Sequence, residues 1–313
     1  MKFVFIDGKE YVNTELIEPL RQYGEVELYQ GVPDSDEEAI RRGRDADVII
    51  FGIMQISNYV LDRLPKLKLL QFSGTGVNTF VDVVRAAEKG VGVLNIEGYG
   101  NMAVAEFAIA LMFSAARQIP KGDASMKSGA WTITGMKGIE IDGSTIGVVG
   151  AGNIGSIVAK KAAALGADVL VYGRTRAEEL SGKHNVQYVS LDELFRRSDI
   201  ISLHLKVNEG TAGIIDRRLI DLMKSGAFLI NTARAELIDN DALYEALAAG
   251  RIAGAAIDVY EQEPPADLRM AKLDNVIATP HIAFYTGKAT DNSVSLSVKS
   301  IIAALGRSQS DPL

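Results

Sequence analysis

Three residues whose side chains move protons or bind anions lie in the last third of the chain. Arg234 follows the apolar run Ala227–Asn231, Glu263 precedes Pro264, and His281 follows a Thr-Pro pair. A histidine titrates near neutral pH and can donate or accept a proton, while a nearby carboxylate can orient it and favour its protonated form. A guanidinium offers a planar fork of donors that suits a carboxylate or a polarised carbonyl.

Each of these residues alone has an ordinary structural explanation, as a capped loop histidine, a surface ion pair or a solvated loop carboxylate. Their common position, at the carboxyl ends of successive predicted strands, favours a site, because α/β sheets bind ligands at that edge. Arg234, Glu263 and His281 are therefore the predicted catalytic residues, and Arg234 and His281 are also predicted to contact the substrate.

A glycine-rich turn supplies the second chemical feature. The segment 144–155 reads STIGVVGAGNIG, in which the strand Thr145–Val149 runs into Gly150, Gly152 and Gly155, and the helix Asn153–Leu165 opens at once. This spacing permits a tight turn, close approach of the backbone to a pyrophosphate, and close packing of helix on strand. The strand before and the helix after make the motif specific, so the sequence predicts a dinucleotide cofactor held at a helix N-terminus.

The residues after the next strand indicate which dinucleotide. A carboxylate that binds the ribose 2′-hydroxyl of NAD is expected at the end of Asp168–Tyr172, but Gly173 stands there. Arg174, Thr175 and Arg176 follow, and these side chains can bind a 2′-phosphate. The sequence therefore predicts NADP as the preferred cofactor, with NAD as a possible second.

Two series of short apolar runs, separated by helical patterns, must position these groups. The expected strands are Lys2–Ile6, Glu25–Tyr29, Asp47–Phe51, Lys68–Phe72 and Val91–Ile96, then Thr145–Val149, Asp168–Tyr172, Ile200–Leu203, Ala227–Asn231, Ala255–Asp258 and Val276–Ala278. This alternation is typical of βαβ units. It predicts an α/β protein with two doubly wound parallel-sheet domains, a flavodoxin-like substrate domain and a six-stranded Rossmann dinucleotide-binding domain, with a cleft between them.

The segments that join the two series set the domain boundaries. A long apolar helix is expected at Met102–Gln118, ended by Pro120, and a polar loop at Lys121–Gly143. A last helix near Asp291–Leu305 follows the second series and can return to the first domain. The predicted division is residues 1–99 with 285–313 for the substrate domain and 100–284 for the Rossmann domain.

Composition excludes several classes of protein. The 313 residues carry a net charge of −7, which disfavours a nucleic-acid surface. There is no cysteine and there are three histidines, so a disulfide framework is impossible and a zinc site is not expected. The apolar stretches are too short for a membrane span, and the first residues do not resemble a signal peptide. We expect a cytoplasmic protein whose partners are a small molecule and a second copy of itself.

Several motifs together resemble one family, the D-2-hydroxyacid dehydrogenases. They lie in the family's order over nearly the whole chain: the glycine turn with Gly129-Ala-Trp131, Gly138–Gly143, Leu203-His204, Asn231–Arg234, Ala255–Tyr260, Glu263-Pro264 and Thr279–His281. Within the family, Gly173-Arg174-Thr175 is similar to the NADP-preferring glyoxylate and hydroxypyruvate reductases, and His281–Thr286 is similar to D-lactate dehydrogenases.

The resemblance implies roles that agree with the chemistry. Hydride addition to a ketone builds negative charge on its oxygen, which a cation must meet and a proton must follow. The resemblance assigns carboxylate binding and carbonyl polarisation to Arg234, proton transfer to His281 and its orientation to Glu263. It also places Asp258 at the nicotinamide amide and the apolar helix in a homodimer interface. The full set of predicted cofactor-binding residues is Gly150, Gly152, Asn153, Ile154, Gly155, Arg174, Thr175, Arg176, His204, Thr211, Thr232, Ala233 and Asp258.

Two loops of the first domain bear on the substrate. Ser73–Val77 is a Gly-rich turn whose successive N–H groups can form an anion nest, and the resemblance assigns the grip on the substrate carboxylate to Thr75 and Gly76. Gly52–Ser57 ends the preceding strand and has no Lys or Arg, unlike relatives that use phosphoglycerate. The sequence therefore predicts a small unphosphorylated acid such as glyoxylate, hydroxypyruvate or pyruvate.

Other functions stay open at this point. A dehydrogenase-like corepressor that senses nicotinamide redox state keeps the same three residues, and a phosphite dehydrogenase of the same family is hard to distinguish. Formate oxidation is disfavoured, because those enzymes replace the partner of the histidine with an amide, and this chain has Glu263. The sequence leaves open the keto acid and the physiological direction.

Overall fold

The computed structural model describes residues 1–173, 180 and 185–308, with the side chains of 307 and 308 excepted. Arg174, Thr175 and Arg176, the predicted 2′-phosphate residues, lie outside the described residues. The chain divides into two compact units: Met1–Gly100 with Tyr285–Leu313, called unit 1, and Asn101–Phe284, called unit 2.

Unit 1 is built on a five-stranded parallel sheet. Its strands are β1 (Lys2–Phe5), β2 (Glu25–Leu28), β3 (Val48–Phe51), β4 (Leu69–Phe72) and β5 (Gly92–Asn95), in the order β2-β1-β3-β4-β5. The helices among them are α1 (Asp36–Gly43), α2 (Asn58–Asp62) and α3 (Val83–Glu88), with 3-10 helices at Lys9–Tyr11, Thr14–Gln22 and Val77–Thr79. This order is that of a flavodoxin-like sheet, as predicted.

Unit 2 contains a seven-stranded parallel sheet, one strand more than predicted. Its elements are α4 (Asn101–Ala116), α5 (Ile119–Lys127), β6 (Thr145–Val149), α6 (Asn153–Ala164), β7 (Asp168–Tyr172), β8 (Val186–Tyr188), α7 (Leu191–Arg197), β9 (Ile200–Leu203), α8 (Arg217–Leu222), β10 (Phe228–Asn231), the 3-10 helix Ala235–Leu237, α9 (Asn240–Ala248), β11 (Gly254–Ile257) and β12 (Val276–Ala278). The strand order β12-β11-β10-β9-β6-β7-β8 is that of a Rossmann sheet, and the prediction of two parallel-sheet α/β domains is confirmed.

The last helix, α10 (Gly287–Ser308), belongs to unit 1 and packs on β4, β5 and the 3-10 helix Thr14–Gln22. Its residues Val294, Val298 and Ile301 are buried in one of the two apolar layers of that sheet. The expectation that this helix returns to the first domain is confirmed.

Apolar side chains cover both faces of each sheet, because strands of parallel sheets are buried on both sides. In unit 1, Val4 and Ile49 pack under α2, whereas Phe3 and Phe5 pack towards α10. In unit 2, α4 and α6 cover one face, and α7, α8 and α9 cover the other.

Three local expectations were wrong or incomplete. The apolar pattern of Thr14–Tyr23 predicts a helical segment, and the structure has a 3-10 helix at Thr14–Gln22 that contains Pro19. Pro120 does not stop the helical structure: Gln118 adopts φ 54 and breaks α4, and Pro120 then sits in the first turn of α5, where no N–H donor is needed. The loop predicted from Lys121 to Gly143 therefore begins with helix. The short edge strand β8 was missed because it has only three residues, of which Gln187 is exposed and the other two are only partly buried.

In the described part of the chain, no single helix is long and apolar enough to cross a membrane. The bent pair of α4 and α5, which meet at 62°, passes that test together on length and composition only.

Candidate active site

The glycine turn of unit 2 has a geometry that only glycine allows at two of its three positions. Gly150 has φ 104, and a Cβ there would lie 2.8 Å from the carbonyl carbon of His204. A Cβ on Gly155 would lie 1.8 Å from the Gly150 carbonyl oxygen. At Gly152 the space is open, since no heavy atom among the described residues lies within 4 Å of where a Cβ would be.

This open side faces the start of α6. Gly152 is the N-cap of that twelve-residue helix and offers no side chain to its first N–H groups. Asn153 is exposed and Ile154 is half-buried at the same turn. Free N–H groups beside a space without side chains fit the pyrophosphate of a dinucleotide.

His204 lies where the strand order of the sheet reverses, at the end of β9 and beside the glycine turn. Its Nε2 shares a 2.8 Å hydrogen bond with the Ser202 hydroxyl. Burial lowers the pKa of His204 to about 3, so its imidazole is neutral at physiological pH. This residue can contact a cofactor by hydrogen bonding or packing, but not as a cation.

Thr232 and Thr211, two further predicted cofactor-binding residues, differ in whether their hydroxyl groups already form hydrogen bonds. The hydroxyl of Thr232 is buried and has no hydrogen-bond partner in the described part of the chain, while its neighbour Ala233 is half-buried. The Thr211 hydroxyl instead donates to the Lys206 carbonyl at 2.7 Å and accepts from the Asn208 N–H at 2.8 Å, which closes a turn after β9.

Arg234 stands two residues after Thr232, just past the end of β10. The side chain of Asn231 folds this turn: its amide donates to the Arg234 carbonyl at 2.9 Å and its oxygen accepts from the Ala233 N–H at 3.0 Å. The half-buried guanidinium uses Nη1 to donate to the Ala233 carbonyl at 2.7 Å. Its other donors have no hydrogen-bond partner within the described residues, so they are available for an anionic ligand.

Glu263 and His281 are the two predicted catalytic side chains that a hydrogen bond joins within the described residues. Nδ1 of His281 lies 2.6 Å from Oε2 of Glu263, and Oε1 of Glu263 accepts from the Tyr260 N–H at 3.1 Å. Burial acts to raise the pKa of Glu263, but the hydrogen bond and charge of His281, with smaller effects from Tyr260 and Arg234, lower it overall. An ionised Glu263 in turn stabilises the protonated imidazole.

The pairing determines which nitrogen of His281 can react. With Nδ1 held by Glu263, Nε2 is left without a hydrogen-bond partner among the described residues. The backbone of His281 is in the left-handed region, with φ 52, an unusual conformation for a residue with a side chain. Such local strain persists only where surrounding contacts hold it.

Asp258 supplies those contacts. This fully buried carboxylate accepts from the Thr279 hydroxyl at 2.6 Å, the Ile282 N–H at 2.9 Å and the Ala283 N–H at 2.8 Å. It thus fixes the chain on both sides of His281. The predicted contact of Asp258 with the nicotinamide amide stays a prediction.

Tyr260 completes the support of the pair, and sequence reasoning gave it no role. Its N–H donates to Glu263, and its hydroxyl donates to the Thr279 carbonyl at 3.0 Å, so it links Glu263 to the segment that precedes His281. The only signal in the sequence was its place in the motif Ala255–Tyr260.

In unit 1, the turn Ser73–Val77 follows β4. The carbonyl of Gly74 accepts from the Ile96 N–H at 3.2 Å, and the Thr75 hydroxyl donates to the Ile96 carbonyl at 3.2 Å. The backbone N–H groups of Thr75, Gly76 and Val77 have no hydrogen-bond acceptor in the described part of the chain. A turn with occupied acceptors and free donors suits an anion.

The loop Gly52–Ser57 of the same unit is anchored by Asp7, which sequence reasoning also missed. The buried Asp7 carboxylate accepts from the N–H groups of Gly52, Ile53 and Met54 at 2.8 to 3.3 Å. Burial raises the pKa of Asp7, and these hydrogen bonds oppose that effect. The loop therefore keeps no free N–H at these three positions.

A Rossmann sheet, a glycine turn open to a dinucleotide and an acid–base pair together define the class of nicotinamide-dependent dehydrogenases. Comparison with known proteins narrows this class. The model of the family "D-isomer specific 2-hydroxyacid dehydrogenase, NAD binding domain" matches residues 109–283. The chain belongs to the D-isomer-specific 2-hydroxyacid dehydrogenase family.

Individual relatives carry different names. The chain is 40% identical over 280 residues to D-3-phosphoglycerate dehydrogenase of Methanocaldococcus jannaschii, covering 89% of this chain and 53% of that protein. It is 39% identical over 284 residues to hydroxypyruvate reductase of Thermotoga maritima, covering 89% and 88%. A solved structure of an acyclic imino acid reductase, Bsp5, in complex with NADPH and D-Arg has a TM-score of 0.83 and 32% identity over 98% of both chains.

The chain covers different shares of these two relatives. The chain spans about half the length of the phosphoglycerate dehydrogenase and most of the length of the hydroxypyruvate reductase. The names support the family, and they leave the substrate open.

Proposed function

We propose that this protein interconverts a small, unphosphorylated 2-keto acid and its D-2-hydroxy acid, with NADP(H) as the preferred cofactor. The observation that carries the proposal is the 2.6 Å pair of His281 Nδ1 and Glu263 Oε2, which leaves Nε2 as a proton donor or acceptor. The bound nicotinamide would supply or accept the hydride.

The residues of the chain do the remaining chemistry. In reduction, Nε2 of protonated His281 donates a proton to the carbonyl oxygen as the carbonyl carbon gains a hydride, so that a C=O bond becomes H–C–O–H. The free donors of Arg234 polarise that carbonyl and stabilise the negative charge that develops on its oxygen. In oxidation, neutral His281 accepts the hydroxyl proton, and Glu263 stabilises the imidazolium that forms.

The expectation of an unphosphorylated substrate is supported by the loop Gly52–Ser57. Its N–H groups at Gly52, Ile53 and Met54 already donate to Asp7, and no Lys or Arg lies within it. Ile53 and Gln55 are the exposed side chains of this loop, and neither carries a positive charge that would form an ion pair with a phosphate. The turn at Thr75 and Gly76 is the proposed binding site for the substrate carboxylate.

The preference for NADP(H) is supported by the sequence and by one relative. Gly173 leaves the end of β7 without the carboxylate that would repel a 2′-phosphate, and arginines follow at 174 and 176. The similar imino acid reductase was solved with NADPH.

A homodimer is the proposed assembly. Several large apolar side chains of unit 2 are exposed in and around α4 and α5, with Trp131 89% and Ile133 90% exposed. Exposed apolar surface of this kind is typical of protein interfaces. Sedimentation equilibrium should give twice the chain mass of 33.7 kDa, and a monomer at micromolar concentration would contradict this assembly.

The activity is tested by NADPH and NADH oxidation with a panel of acids. Glyoxylate, hydroxypyruvate and pyruvate should be reduced, NADPH should give the higher kcat/KM, and phosphohydroxypyruvate should be a poor substrate. The product should be the D isomer. Tight NADPH binding without turnover of any member would favour the corepressor-like alternative, and a preference for phosphohydroxypyruvate would overturn the substrate class.

A further inference from the structure

The turn Ser73–Val77 of unit 1 is held in place almost entirely through its oxygen atoms. The Gly74 carbonyl accepts from the Ile96 N–H, and the Gly76 carbonyl accepts from the Thr79 hydroxyl at 3.0 Å. The Ser73 N–H is the exception, donating to the Phe51 carbonyl at 2.8 Å. Within the described residues, the other backbone N–H groups of the turn remain free for a ligand. The direction in which they point depends on the position of Ser73, the first residue of the turn.

Two serines of α10 fix Ser73. The Ser293 hydroxyl donates to the Ser73 carbonyl at 2.7 Å, and the Ser297 hydroxyl donates to the Ser73 hydroxyl at 3.1 Å. The two serines are four residues apart, so they lie on one face of the helix, one turn from each other. Together they hold both the backbone and the side chain of the residue that opens the turn.

Both serines place a polar hydroxyl group on an otherwise apolar, buried face of α10. Ser297 is fully buried and Ser293 is 8% exposed, on the face of α10 that otherwise buries Val294, Val298 and Ile301. A hydroxyl in an apolar layer is unfavourable without a hydrogen-bond partner, and an alanine at either position would suit the helix better. Both hydroxyls are directed at the same residue of the turn.

We propose that Ser293 and Ser297 are positioning residues that orient the N–H groups of Thr75, Gly76 and Val77 towards a substrate carboxylate. This inference rests on the proposed function in one respect, the carboxylate role of the turn. The serines do not touch the substrate, and their effect passes through Ser73.

The test is calorimetric titration of oxalate, a two-carbon dicarboxylate, into the NADPH-bound protein. Replacing both serines, in the variant Ser293→Ala with Ser297→Ala, should raise the Kd for oxalate about threefold to thirtyfold, as expected for losing two hydrogen bonds that hold the turn. The Kd for NADPH should change by less than about twofold, since the glycine turn lies in unit 2. Ser300→Ala, the same change on the same helix without a hydrogen bond to Ser73, is the matched control and should leave the Kd for oxalate unchanged.

Calorimetry separates positioning from a purely structural role. A variant that is only less stable would bind fewer equivalents of oxalate with the same Kd, which would overturn the proposal. If the double variant folds poorly, single substitutions provide a second test. Ser73→Ala and Ser297→Ala remove the same hydrogen bond from opposite sides, so their effects on the Kd should be equal and should not add in combination. Additive effects would contradict the proposal.

The outcomes also separate this inference from the proposed function. If the protein reduces keto acids but the serine variants bind oxalate as the wild type does, the positioning role alone fails. If the protein binds oxalate with the predicted serine dependence but reduces no keto acid, the proposed function alone fails. If the wild type binds no oxalate at all, the turn is not a carboxylate site and the positioning role is overturned.

Discussion

At the scale of single residues, the pairing of His281 with Glu263 sets the orientation of the proposed proton donor. The carboxylate holds Nδ1, and the hydrogen bond and charge of the histidine are the main causes that lower the pKa of Glu263. The Tyr260 N–H and the nearby charge of Arg234 also favour the ionised carboxylate. The imidazole is therefore held in a fixed orientation, with Nε2 available for the proposed proton transfer.

Replacing His281 with Ala should reduce turnover by about 10²–10⁴, the usual contribution of a positioned acid or base. NADPH binding should survive, since the glycine turn is a separate part of unit 2. Steady-state kinetics and a fluorescence titration of NADPH measure the two effects. Full activity in this variant would remove the proposed mechanism.

Glu263→Gln should act on the pH profile more than on binding. Gln keeps a hydrogen-bond acceptor but removes the negative charge that stabilises the imidazolium. Reduction needs protonated His281, so its rate should begin to fall at a lower pH than in the wild type. Oxidation needs neutral His281, so its rising limb should also move to lower pH. Profiles of kcat/KM in both directions test this shift, and profiles that coincide with those of the wild type would show that Glu263 does not control the histidine.

At the scale of elements, the sheets were readable from the sequence and parts of their connections were not. Each of the eleven expected strands has a counterpart within about one residue, because buried parallel strands give continuous apolar runs. The edge strand β8 buries too little to leave such a pattern. The helix α5 was hidden behind Pro120, which usually marks a helix end but also suits a helix start.

The residues of the predicted site also fall into two groups, those that the sequence indicates and those that it does not. Arg234, Glu263 and His281 could be proposed as site residues because their types and positions after strands are visible in the sequence. The supports of the site were not, since Asp7 and Asp258 act through hydrogen bonds to segments 21 to 47 residues away. Contacts at such separations arise from the register of neighbouring strands, which a single sequence does not reveal.

The glycine turn offers a matched pair of substitutions that separates cofactor binding from packing. In Gly152→Ala, the new Cβ enters open space beside the start of α6, so the fold should tolerate it while NADPH affinity falls by about tenfold or more. In Gly155→Ala, the Cβ would collide with the Gly150 carbonyl, so the melting temperature should fall as well. Thermal unfolding and NADPH titration of both variants make the comparison. Unchanged NADPH affinity in Gly152→Ala would show that the cofactor does not approach this turn.

The segment around His281 offers a second test at this scale. Asp258→Asn replaces one of the two acceptor oxygens with an amide donor, which then faces backbone N–H groups. The free energy of unfolding should therefore fall by about 2–4 kcal/mol. Turnover should fall with it, since Thr279, Ile282 and Ala283 flank His281, the proposed acid and base. Asp274→Asn, at an exposed position of the same unit, is the control. Equal stability of the two variants by urea denaturation would argue against the supporting role of Asp258.

At the scale of the whole molecule, titratable groups in the folded chain make stability depend on pH. Burial lowers the pKa of His204 to about 3, far below the ordinary value of 6.5. Glu263 acts in a different range: its pKa is lowered from 4.5, so its stabilising effect is present above that pH and is lost as the pH falls further. Unfolding free energies measured above pH 5 therefore include the protonation of His204 but not that of Glu263.

Between pH 6.5 and 5, the unfolded chain binds a proton at His204 that the folded chain does not. The free energy of unfolding should therefore fall as the pH is lowered through this range, with a slope from this group of at most about 1.4 kcal/mol per pH unit. His204→Gln keeps an amide group that can meet the Ser202 hydroxyl and removes the titration, so its stability should depend less steeply on pH. Urea denaturation of both proteins from pH 5 to 7.5, followed by circular dichroism, gives the difference in slope, in which the contributions of all other groups cancel. Parallel curves would mean that His204 binds its proton equally in the folded and unfolded chain, and the imidazole beside the glycine turn could then carry a positive charge towards the cofactor phosphates.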